Sequence, residues 1–129
     1  MAYVKYKELT KYFNFNEEIN IDNLPKYVLD YVDKTEKIYK AYKTFRDKSV
    51  FTDKRMILFD VNITGTSKKI HIIPYKSISS GAILFHLNKA SIFLSFNSGY
   101  QIRLNFVHLT AKDKTELRKL YNKIMETVM

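Results

Sequence analysis

The sequence predicts an α+β domain that is mainly β: seven antiparallel strands, then one amphipathic helix, with a helical extension in front. Three observations carry this. From Lys37 onward the apolar spacing falls towards a period of two, and β-branched and aromatic residues dominate short runs. Turn-forming residues separate most of those runs. The last stretch of chain returns to a helical period. With 129 residues and 15.3 kDa, one core of ordinary size is expected.

Residues 1–36 read as the extension. Val4, Lys7, Leu9, Tyr12 and Phe13 form a loose helical stripe. "DNLPKYVLDYVDKT" is better: Asp22 or Asn23 can cap, Pro25 suits a first turn, and Leu24, Val28, Leu29 and Val32 recur at helical spacing. Residues 37–129 read as the β domain. Its runs are Ile38 to Phe45, Ser49 to Thr52, Arg55 to Val61, Lys68 to Ile73, Ser77 to Leu87, Ser91 to Phe96 and Tyr100 to Val107. "TDKR", Gly65, Pro74, the Asn88–Lys89 pair and "NSGY" supply turns between them. The last run alternates most cleanly, with Tyr100, Ile102, Leu104 and Phe106 inward and Gln101, Arg103 and Asn105 outward. Thr110 and Asp113 then form a capping-box variant ahead of a stripe of Leu117, Leu120, Tyr121, Ile124 and Val128.

Charge is unevenly placed. The net is +9, yet residues 1–36 carry 5 Lys against 7 acids, and residues 37–129 carry 17 basic residues against 6 acids. No carboxylate lies between Asp60 and Asp113, where Lys68, Lys69, Lys76, Lys89, Arg103 and Lys112 fall. Such a balance favours an anionic partner, although 18 Lys against 4 Arg, with abundant Asn, Ile, Tyr and Phe, is also what an AT-rich gene yields without selection for binding. With no cysteine, there are no disulfides, thiolate metal sites or cysteine nucleophiles. The N-terminus lacks a secretory pattern, so a cytoplasmic protein is expected, at most peripheral at a membrane.

A long ordered match narrows the fold. "EKIYKAYKTFRDKSVFTDKRMILFD" followed by "TGTSKKIHIIPYKSIS" resembles the bacterial pleckstrin-homology (PH) family, whose members carry A-Y-K-x-x-R-D-x-x-V-F-T-[ND]-K-R-x-I-L, then T-G-K-K, then I-P-Y-x-S-I. Residues Ala41 to Leu58, Thr64 to Lys69 and Ile73 to Ile78 supply the matching positions. The resemblance implies a PH-like bent antiparallel sandwich or barrel plugged by the terminal helix. It also implies similarity to modules that self-assemble into rings. Eukaryotic PH domains bind phosphoinositides through basic residues near the first hairpin, an expectation that fold alone does not transfer. Two stretches depart from the pattern: "GAILFHLNKA" after Ser80, and the N-terminal extension.

Two candidate sites follow. Lys43, Arg46, Lys48 and Arg55 surround the first hairpin and its neighbour, where they can converge on an anion such as a lipid headgroup or a nucleotide-like small molecule. In the competing reading, Arg46 pairs with an acid such as Asp47, Thr52 and Asp53 are turn acceptors, and Lys54 and Arg55 point to solvent. That structural reading takes precedence, because turn and surface residues commonly show this pattern. In the second candidate, alternation puts Ala82, Leu84 and His86 on one face and Ile83, Phe85 and Leu87 on the other, so both faces are largely apolar. Such a strand needs two covers. A second subunit and the apolar residues Leu24, Val28, Leu29 and Val32 both qualify, and Gly81 fits a bulge.

Catalysis has little support. His71, His86 and His108 lack metal-ligand spacing, the acids of the first β runs sit in turns among basic residues, and no Gly-rich phosphate loop is present. No cofactor or metal is expected. Nucleic acid is disfavoured because the aromatics alternate towards the core and form no stacking platform. The sequence therefore predicts a non-catalytic, self-associating interaction or scaffold module, with an anion binder or sequestering protein as the alternative. Cellular and phage-borne origins both fit.

Overall fold

The period-two runs after Lys37 become strands, and two more strands precede them. The computed structural model describes residues 10–45, 47–61, 64 and 66–128. The strands are β1 (Thr10–Phe15), β2 (Glu17–Glu18), β3 (Ile38–Lys43), β4 (Lys48–Thr52), β5 (Arg55–Val61), β6 (Lys68–Pro74), β7 (Ile78–His86), β8 (Lys89–Phe96) and β9 (Gln101–Phe106). Helix α1 is the short Lys26–Leu29 and helix α2 is Ala111–Val128. Single 3-10 turns occupy Ile21–Asn23 and Tyr75–Ser77.

Among the described residues nine strands replace the seven expected, and the first of the two additions corrects the reading of Tyr12 and Phe13 as helical. Tyr12 and Phe13 lie in β1, not on a helix. Phe13 and Phe15 are buried while Tyr12 and Asn14 are exposed, which is the alternation of a strand. Val4, Lys7 and Leu9 of that stripe, and Gly65 of the predicted turn, lie outside the described residues.

The chain divides into two compact units, residues 15–74 and residues 1–14 with 75–129. The first holds a five-stranded sheet in the order β2-β3-β4-β5-β6. In β5, Met56, Ile57, Leu58 and Phe59 are all fully buried, as a continuous apolar run requires when both faces are covered. Residues of the extension cover one face: Leu24 and Val28 join Ala41, Val50, Ile57 and Phe59 in one cluster, flanked by Ile19, Tyr27 and Val32. Tyr27 and Tyr31 both meet Phe59 edge to face, at 5.9 and 5.8 Å.

The second unit holds a four-stranded sheet in the order β1-β9-β8-β7 and helix α2. Register gives β8 and β9 one continuous buried apolar face. Ile92 and Leu94 of β8 stand opposite Leu104 and Ile102 of β9, and all four are buried. Helix α2 starts with the reciprocal box expected: Thr110 Oγ1 accepts from the Asp113 amide at 3.1 Å, and the Asp113 carboxylate accepts from the Thr110 amide at 2.9 Å. Its buried residues are Leu117, Leu120 and Ile124.

Gly81 has another role than the bulge predicted for it. The irregularity of β7 lies between Ile78 and Ser80. At Gly81 a Cβ would stand 3.1 Å from Met125 Sδ, 3.2 Å from the Tyr121 hydroxyl and 3.2 Å from Leu94 Cδ2. The missing side chain lets α2 approach the sheet. Gly81→Val should therefore overpack this contact and lower stability by about 1–3 kcal/mol, read as a reduced urea midpoint.

Candidate functional site

The apolar strand predicted as an interface is an edge. β7 pairs with β8 and ends the four-stranded sheet. Ala82, Leu84 and His86 share one face and Ile83 and Phe85 the other, as alternation requires. Leu84 is 54% exposed, Phe85 37% and Leu87 77%. Leu87 is not a strand residue: His86 pairs with Lys89, so Leu87 and Asn88 form the hairpin turn, one position earlier than expected. Leu87 has φ 48°, a left-handed conformation that such a turn ordinarily gives to Gly or Asn. Leu24 and Val28, offered as intramolecular cover, are engaged in the five-stranded sheet's cluster.

The predicted basic residues part company. Lys43 and Lys48 face one another across the β3–β4 hairpin, whose loop is closed by the Thr44 amide on the Asp47 carbonyl at 2.8 Å. Arg46 lies outside the described residues. Phe45, in the same loop, is 96% exposed. Lys43 Nζ is 3.6 Å from Glu17 Oε2 at the surface. Lys48 Nζ lies 5.6 Å, and Lys68 Nζ 4.1 Å, from the centre of the Tyr27 ring. Sequence reading named Lys48 but missed Tyr27 and Lys68 as its companions. The nearest signal was the Lys68–Lys69 pair of the T-G-K-K motif.

Arg55 is held elsewhere and does not point into solvent. Its Nη2 meets Glu36 Oε1 at 2.6 Å and the Tyr31 carbonyl at 2.8 Å, while Nε lies 3.0 and 3.1 Å from the two Glu36 oxygens. Thr52 Oγ1 donates to Glu36 Oε2 at 2.6 Å and accepts from the Lys54 and Arg55 amides, so its predicted role as a turn acceptor is present. Asp53 instead joins Lys37, accepting from its amide at 3.1 Å. The pair fixes the end of the α1 segment to the sheet.

Comparison with known proteins adds the family. The sequence profile of the Bacterial PH domain matches residues 9–128. The chain belongs to that family. A crystal structure of a protein with a pleckstrin-homology domain from Shewanella loihica PV-4 superposes with a TM-score of 0.68 at 26% identity, covering 88% of this chain and 97% of that one. A pleckstrin-homology domain from Shewanella amazonensis SB2B gives 0.59 at 26% identity, covering 88% and 91%. A PH-domain-containing protein from Exiguobacterium sibiricum 255-15, at 16% identity, gives 0.67 over 90% of this chain and 63% of that one. The uncharacterized protein YjqA of Bacillus subtilis strain 168 is 56% identical over 45 residues, spanning 34% of this chain and 36% of that protein.

This bacterial PH domain thus has the PH-like fold predicted, with mostly strands in two sheets and one C-terminal helix. Among the described residues no cluster of His, Cys, Asp or Glu suits a metal, and no helix is long and apolar enough to cross a membrane.

The Glu36–Arg55 contact makes the fold sensitive to acid. Hydrogen bonding from Arg55 lowers Glu36 from 4.5 to about 2; burial opposes this, and Thr52 and the Asp33 amide assist. The folded value lies below the unfolded one, so the stabilisation is complete above pH 4.5 and fades as pH falls towards 2. A shift of that size corresponds to about 3 kcal/mol. Glu36→Gln should lose about that much at pH 7 in urea denaturation, and its stability should vary less with pH across that acid window.

Proposed function

We propose that the chain is a non-catalytic, self-associating module, an assembly scaffold in which β7 of one copy adds to the sheet of another. One observation carries this reading. The strands ending the two sheets are β1, β2, β6 and β7, and β2 and β6 have residues that discourage edge pairing. β2 is Glu17–Glu18, and β6 has Lys68, Lys69 and Pro74. β7 is nine residues long and has no Lys, Arg, Asp, Glu or Pro. Covering Leu84, Phe85 and Leu87 would add about 1 kcal/mol each to the backbone bonds of an added strand. The resemblance to ring-forming modules supports the same reading.

Leu84→Asp combined with Leu87→Asp changes two exposed positions and should give a folded monomer. Native mass spectrometry of the parent should show an oligomer and of the variant a single chain, with circular dichroism unchanged. A folded variant with the parent's mass would place the contact elsewhere.

A second reading, binding of an anionic lipid headgroup, is favoured by Phe45, which is almost fully exposed in the loop between Lys43 and Lys48. Basic residues near anionic lipid gain about 1 kcal/mol each, and an apolar tip adds insertion. Vesicles containing phosphatidylserine should bind the protein in a salt-sensitive way, and Arg46→Ala should weaken binding roughly fivefold without unfolding the chain. Unchanged partitioning of Arg46→Ala would remove this loop as the contact.

A further inference from the structure

The face of β8 and β9 opposite the buried one carries a fixed arginine that neither reading uses. Arg103 on β9 stands opposite Phe93 on β8, with its guanidinium carbon 4.9 Å from the ring centre. Its Nε donates to Asn105 Oδ1 at 2.9 Å. That oxygen also accepts from the Ser91 hydroxyl at 2.8 Å, and the Asn105 amide nitrogen donates to Asn14 Oδ1 at 3.0 Å. Residues of three strands therefore hold one end of the guanidinium, while Nη2 has only Ser91 Oγ nearby, at 3.5 Å.

No acid balances it. β1, β7, β8 and β9 contain no Asp or Glu, and Arg103 has no carboxylate partner among the described residues. Beside it lies a cleft of about 270 Å³ whose lining includes Tyr12, Phe93, Ser95, Gln101 and Arg103. Tyr12 is 57% exposed there, an aromatic surface next to an oriented cation.

We propose that this cleft binds a small organic anion in which a flat ring carries a carboxylate or a phosphate. The unused N–H groups of Arg103 offer two parallel bonds to two oxygens of the anion. The Tyr12 ring provides a stacking surface, and Ser95 lies at the rim. Phe93 and Asn105 hold the fork in place before the ligand arrives, which reduces the ordering cost of binding. The residues it rests on, Arg103 and Tyr12, belong neither to β7 nor to the β3–β4 loop.

The test uses the full chain, isotopically labelled, titrated with benzoate and with phenyl phosphate at matched ionic strength, observing the Arg103 Nε–Hε and Tyr12 ring signals by NMR. Saturable shifts at both residues are expected, weakened about tenfold or more in Arg103→Lys, which keeps the charge and loses the fork, and unchanged in Lys48→Ala. Tighter binding of benzoate would identify a carboxylate ligand, and tighter binding of phenyl phosphate a phosphate ligand; either supports the site. Shifts that do not saturate, or that persist undiminished in folded Arg103→Lys, would overturn it. If Arg103→Lys disturbs the fold, Tyr12→Ala decides: full-strength binding in that variant would also overturn the proposal.

Discussion

An open sheet ends in strands with backbone donors and acceptors facing away from the sheet, and this chain has two such sheets to terminate. The chemistry of the terminations is unequal. Two glutamates in a two-residue strand, and paired lysines with a proline in another, hinder a further strand. β7 has none of these, and the turn beyond it holds an exposed leucine at positive φ. Within a chain of net charge +9, β7 is also a stretch where two copies can meet without opposing like charges from the strand itself. Its departure from the family pattern after Ser80 falls on these same residues.

Faces impose a second constraint. The five-stranded sheet buries both sides of β5, and on the face of Ile57 and Phe59 the segment carrying Leu24 and Val28 supplies the cover within the same unit. The Glu36–Arg55 pair, with the Tyr31 carbonyl on the same guanidinium, holds that segment where the apolar contacts can form. Arg55 thus serves the fold through a largely buried carboxylate whose own stability depends on it. Among the described residues, the basic character at the β3–β4 hairpin belongs to Lys43 and Lys48, with Lys68 beside Tyr27.

Much of this was legible in local pattern. The apolar run of β5, the alternation of β9 and the Thr110–Asp113 box each depend on neighbours within a few residues, and each is present as read. β1 and β2 were not legible. They are short, and β1 takes its place beside β9, about ninety residues further along the chain. No periodicity within the first 36 residues encodes that partner. The ion pair escaped for the same reason: Glu36 and Arg55 are 19 residues apart and lie in segments read separately. Gly81 was marked as special on sequence grounds, but its neighbours Tyr121 and Met125 come from the helix, so its role is a tertiary one. The two-sided apolar character of β7 was visible from alternation, whereas its position at a sheet edge came only from topology.

The most direct measurement is amide hydrogen exchange along β7 and β8 at several protein concentrations. If β7 pairs with another copy, its outward-pointing amides, every second residue between Ile83 and His86, should be protected at high concentration and become fast on dilution, while the β7 amides bonded to β8, and β8 itself, stay protected throughout. Fast exchange of those outward-pointing β7 amides at every concentration, beside a protected β8, would contradict assembly through this edge.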